Sequence, residues 1–156
     1  QRHDPDEDPQ ARTGPLDFQG IIAQQDPVPF GHGRLAEELL NALTIILGEA
    51  PNIEAISIGW YDDVEDSKKK INLSLKRVDQ KNGVVIFTDM FGGTPSNIAL
   101  AFLGENIEVV TGVNLSMLIK FANHRDDRAL PELAKLVQEA AQKSIVIASQ
   151  MLKGKK

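Results

Sequence analysis

Between Phe18 and Ala148 the apolar positions follow two periods that take turns along the chain. Short runs of β-formers give way to longer stretches with apolar residues three and four apart, the spacing of one helical face. The first strand is expected at Phe18 to Ala23, or in a piece nearer Val28. A helix follows from Arg34 to Leu47, with Leu35, Leu39, Ala42, Leu43 and Ile46 on one side and Gly48 to stop it. Ile53 to Ile58 reads as the second strand. Glu65 to Val78 reads as a helix buried through Ile71, Leu75 and Val78, its acidic start and basic end suiting the helix dipole. Gly83 to Thr88 is the third strand, and Thr94 to Leu103 the third helix. Thr94 is its expected N-cap and Pro95 its first helical residue. Ile107 to Val110 is the fourth strand, with helices at Asn114 to Ala122 and Pro131 to Gln142. Ser144 to Ala148 reads as a closing strand with no helix after it.

Regular alternation with short connections predicts an α/β fold: an open, mostly parallel four-stranded sheet flanked by helices, with a C-terminal fifth strand. Right-handed crossovers put all the strand-to-helix loops on one edge, so the loops after strands one and three share a rim.

Composition narrows the picture. The chain has 156 residues, 42 % apolar and 25 % charged, enough for one domain with a proper core at residues 18–156. Gln1 to Pro15 is different: three prolines, four acids and almost no apolar side chains. Residues 1–17 are therefore expected to be a disordered acidic arm. A net charge of −5 without a basic face argues against nucleic acid, and no apolar run reaches the ~20 residues of a membrane span. The absence of cysteine removes disulfides, thiolate metal sites and cysteine catalysis, and a cytoplasmic setting is expected.

The chemistry concentrates at Val84 to Asn97, VVIFTDMFGGTPSN. A buried strand ends in Thr88-Asp89, a glycine pair follows, and a helix starts. In open α/β sheets, ligands gather at that carboxyl edge. His32, in Gly31-His32-Gly33 just before the first helix, belongs to the same rim. Each signal has an ordinary explanation alone: a loop histidine, a bracing carboxylate, a tight turn. The joint placement is what points to chemistry. No G-x-S-x-G nucleophile turn and no P-loop occur, and three histidines, one of them in the acidic arm, make a poor metal set. What remains is histidine as the nucleophile toward a phosphoryl group, with a carboxylate holding its other ring N–H. The N–H groups around Gly92, Gly93 and Thr94, with the Thr94 hydroxyl, suit the phosphoryl oxygens.

Four stretches carry a resemblance: GHGRLAEELLNA (31–42), TDMFGGTPSN (88–97), EVVTGVNLSMLIK (108–120) and EAAQKSIVIASQMLKG (139–154). In these the chain resembles the IIA component of the mannose family of the bacterial phosphoenolpyruvate-dependent sugar phosphotransferase system, and more closely the stand-alone IIA proteins. The resemblance implies a phosphocarrier in which His32 accepts a phosphoryl group from phospho-HPr and Asp89 orients it, with Thr94 supplying the hydroxyl after the glycine pair. It implies a homodimer in which Ser144 to Ala148 crosses to the partner's sheet. It implies no metal and no cofactor, and transfer onward to a separate IIB protein, because no IIB domain follows here. One departure stands out. The family runs an apolar strand directly into the histidine, whereas Gln24 to Phe30 contains Asp26, Pro27 and Pro29. Either Phe18 to Ala23 is the strand and an inserted loop carries His32, or the N-terminal part has diverged. The alternative function is a regulatory interaction module with impaired or no phosphotransfer. The phosphoryl-donor subunit of dihydroxyacetone kinase ranks below both.

Overall fold

The computed structural model describes residues 19–25, 34–49, 52–58, 62–78 and 83–153. His32 and the acidic segment 1–17 lie outside the described residues. In order, the elements are β1 (Gln19–Gln25), α1 (Leu35–Leu47), β2 (Ile53–Ile58), α2 (Val64–Val78), β3 (Val84–Thr88) and α3 (Thr94–Ala99). A 3-10 turn at Leu100–Phe102, β4 (Ile107–Thr111), α4 (Leu115–His124), α5 (Leu130–Lys143) and α6 (Ala148–Lys153) complete them.

The strands form one parallel sheet in the order β2-β1-β3-β4. β3 sits inside it, pairing Ile86 with Ile21 of β1 and with Val109 of β4. All five β3 residues are buried, as a strand covered on both faces requires. Its alternation divides the core. Val85 and Phe87 join Ala36 and Leu43 of α1, Met117, Leu118 and Phe121 of α4, and Leu133 and Val137 of α5. Val84 and Ile86 join Ile71, Leu75 and Val78 of α2, and Ile98 and Ala99 of α3. So α1, α4 and α5 cover one face, and α2 and α3 the other. On the first face the Phe87 and Phe121 rings meet edge to face, centroids 5.1 Å apart.

Several boundaries differ from expectation. β1 ends at Gln25, before Pro27 and Pro29, so the strand lies on the FQGIIA side and not nearer Val28. α3 is shorter than Thr94 to Leu103, because its last turn tightens into the 3-10 form before Gly104 bridges to Ile107. Thr94 is not the N-cap. Gly93 takes that position in extended conformation and its carbonyl accepts Asn97 N–H at 3.0 Å, leaving Thr94 first and Pro95 second in the helix. A Cβ at Gly93 would lie in ordinary contact with Met90 O, at 3.4 Å, so space alone does not require glycine at the cap.

The largest correction concerns the end of the described chain. Residues 145–147 are in no strand, and α6 follows where no helix was expected. A strand needs a neighbouring strand to take its N–H and C=O groups, and among the described residues none lies beside Ser144 to Ala148. Ile145, Val146 and Ile147 are exposed at 79, 55 and 60 %.

Because Phe121 is fully buried against Phe87, Phe121→Ala is expected to cost about 3–5 kcal/mol of unfolding free energy by urea titration. A loss under about 1 kcal/mol would show that this face collapses around the cavity and that the aromatic pair does not organise it.

Candidate functional site

The rim at the carboxyl ends of the strands is built from the loops that leave β3 and β4. They are tied together where Val113 N–H donates to Thr88 O at 3.0 Å. Asn114 then caps α4, its Oδ1 accepting Met117 N–H at 2.9 Å. Thr88 is fully buried, and the chain emerges at Asp89, which is half-buried.

Alternation along β3 sends Val85 and Phe87 toward α1, and Asp89 follows in the bend directly after the strand, at the same sheet edge. α1 starts there with Arg34 at its N-cap, two positions beyond His32. The Arg34 Nε donates to Glu37 Oε2 at 2.9 Å, and this bond, with the charges of Glu37 and Glu38, holds the guanidinium above its ordinary pKa. A cation at a helix N-terminus runs against the dipole, and the two acids of the first turn offset it.

From Asp89 to Thr94 the backbone makes one tight turn. Asp89 Oδ1 accepts Met90 N–H at 2.8 Å, Gly93 N–H reaches Met90 O at 3.4 Å, and Asn97 Nδ2 donates to Gly92 O at 3.3 Å. Gly92 has φ +83°, the left-handed region that a side chain disfavours. Asp89, Gly92, Gly93 and Thr94 are thus brought together as one exposed ledge at the sheet edge. His32, the fifth residue singled out from sequence, lies outside the described residues.

Sequence reasoning passed over Met90 and Phe91, 63 and 73 % exposed within this turn. Two apolar side chains between an acid and a glycine pair were the available signal. Phe91 also borders a groove of about 380 Å³ along the free edge of β4, lined by Leu100, Glu108 to Thr111 and, from α5, Ala134, Lys135 and Gln138. Among the described residues no group of three or more acids and histidines is placed to hold a metal, and no helix is long and apolar enough to cross a membrane.

Residues 28–138 match the family described as EIIA-man, PTS system fructose IIA component. The PTS system fructose-specific EIIA component of Bacillus subtilis is 29 % identical over 124 residues, which is 78 % of this chain and 85 % of that protein. The PTS system mannose-specific EIIAB component of Escherichia coli K12 is 33 % identical over 117 residues, 73 % of this chain but only 36 % of that longer protein. Among solved structures, a phosphotransferase system component EIIA from Streptococcus agalactiae superposes with a TM-score of 0.74 at 22 % identity, over 85 % of this chain and 98 % of that one. The mannose/sorbose-specific IIA subunit from Enterococcus faecalis gives 0.70 at 27 % identity, over 83 % and 94 %.

The left-handed turn supplies a direct check. With φ +83° at Gly92 and open space around it, Gly92→Ala is expected to lose about 1–2 kcal/mol through backbone strain alone. Gly92→Asn should recover part of that loss in the same urea titration. Equal stability of wild type and Gly92→Ala would mean that the turn does not need this conformation.

Proposed function

The chain belongs to the PTS system fructose IIA component family, and on that premise we propose that it is a phosphocarrier that accepts a phosphoryl group on His32 from phospho-HPr. What supports this reading is the position of Asp89, a carboxylate directly after an inner strand and beside a glycine turn, together with a sequence that puts His32 two residues before the N-cap of α1. In the step itself, a neutral His32 ring nitrogen attacks phosphorus and the N–P bond to the donor histidine breaks. The donor imidazole leaves, and no metal or cofactor takes part. Asp89 accepts the N–H of the other His32 nitrogen, fixing the tautomer and stabilising the imidazolium as positive charge develops. The N–H groups of Gly92 to Thr94 and the Thr94 hydroxyl hold the phosphoryl oxygens. Discharge goes to a separate IIB protein or serves as a regulatory state, and the protein works in the cytoplasm with its donor.

The same proposal includes a homodimer in which the segment from Ser144 crosses to the partner and pairs with the edge of β4. Five large apolar side chains, Ile145, Val146, Ile147, Met151 and Leu152, are exposed in one chain. At ~1.5–3 kcal/mol for each one buried, a reciprocal exchange can offset an association cost of ~4–15 kcal/mol.

Intact mass after incubation with phosphoenolpyruvate, enzyme I and HPr should show an acid-labile phosphate adduct that is absent from His32→Ala. No adduct on the native chain would sink the phosphocarrier role. Asp89→Asn should slow adduct formation about 10²-fold or more, and an unchanged rate would remove Asp89 from the mechanism. Truncation before Ser144 should convert the dimer to a monomer in sedimentation, and a truncated dimer would rule out the exchange.

A further inference from the structure

Phe91 belongs to two places at once. It stands two residues after Asp89 and directly before the Gly92-Gly93 pair, and it borders the groove on the free edge of β4. The turn around it is weakly held in the single chain. Beside the Met90 N–H bond to Asp89 Oδ1 at 2.8 Å, its bonds across the turn are long, 3.4 Å and 3.3 Å, and its two bulky side chains, Met90 and Phe91, are mostly exposed. A turn held by so few buried groups has little to fix its backbone. Both ends, in contrast, are anchored: Thr88 is fully buried and tied to Val113, and Pro95, Ser96, Ile98 and Ala99 are buried.

The structure assigns Phe91 a positioning role: residues 144–153 of a second copy, seated in the β4 groove, bury its ring and so fix the Asp89 to Thr94 turn. The phosphoryl site is then complete only in the dimer. This rests on the phosphocarrier role and the exchanged segment proposed above, and adds a coupling between them. The occupant follows from what the chain leaves uncovered. β4 ends the sheet with all five residues only half-buried, whereas the five of β3 are fully buried. Residues 144–152 are exposed throughout and carry the apolar side chains that such an edge needs. By two-fold symmetry each protomer contributes one segment and one groove. With nine groove residues and the ten of the segment, each side reaches about twenty, close to the ~20–30 of a standard stable interface. Glu108 and Lys135 at the groove leave it without net charge, suited to an apolar strand.

The intact chain tests this by hydrogen exchange of residues 89–93 above and below its dimer midpoint, located by sedimentation. Exchange there should speed up about tenfold or more on dissociation, and Val146→Asp should show the fast rate at every concentration. Phe91→Ala should remain a dimer but lose the protection, and Phe91→Trp should regain it. In the phosphorylation assay, Phe91→Ala should lower the maximal rate by about tenfold, with little change in KM for phospho-HPr and recovery in Phe91→Trp. Exchange at 89–93 that ignores dissociation, or a chain that is monomeric at all concentrations, would overturn the coupling. A native dimer that takes no phosphate would refute the phosphocarrier role instead, while the exchange data would still decide the role of Phe91.

Discussion

Everything in this fold hangs on β3 having no exposed side. Five consecutive buried residues, Val84 to Thr88, hydrogen-bond to a strand on each flank and carry a helical layer on each face. Because side chains alternate, one strand serves as the inner wall of both cores, with Val85 and Phe87 facing α1, α4 and α5, and Val84 and Ile86 facing α2 and α3. A register slip of one residue would exchange the two sets and put side chains shaped for one cavity into the other. The same constraint aims the chemistry. The strand cannot shift, so the residue that leaves it, Asp89, emerges at a fixed place on the rim.

Much of this was legible in the sequence, and the reason is the strength of the periodic signal. A five-residue β-forming run bounded by Gly83 and Asp89 has few folded uses other than a buried strand. The helices at 35–47, 64–78 and 130–143 announced themselves by apolar residues three and four apart, and their ends fell within a residue or two. The ledge formed by Asp89, Gly92, Gly93 and Thr94 was legible for the same reason, since it follows the strand directly. The capping residue of α3 was not. Thr94 is the better capping type, but the extended backbone falls at Gly93 and Thr94 is already helical, a one-residue shift that has no local sequence signature.

Ser144 to Ala148 teaches the opposite lesson. Its β-branched run gave a strong strand signal, yet among the described residues no strand pairs with it and a helix follows. Propensity reports what a segment can do when a neighbour completes its ladder. Helix α1 shows a related gap: Leu35 and Ile46 belong to its expected apolar face but remain 47 and 53 % exposed. Periodicity names an apolar face and leaves open what covers it. For the terminal segment, the unpaired edge of β4 is the surface in the same molecule with matching needs.

The fold therefore divides its work between a frame that a single chain completes and a functional ledge that it leaves loose. The frame has two closed cores and an interlocked central strand. The ledge has a left-handed glycine, short-range hydrogen bonds and a phenylalanine turned toward an open groove. In the proposed phosphoryl transfer such softness would serve the carrier, which would meet different partners at one histidine. It also needs rigidity at the moment of transfer, since the acceptor nitrogen, the phosphorus and the oxygen-binding N–H groups must be held in line. The proposed dimer interface would reconcile the two demands by supplying the missing burial, with the rigid part of the site in the assembly and the adaptable part in the chain.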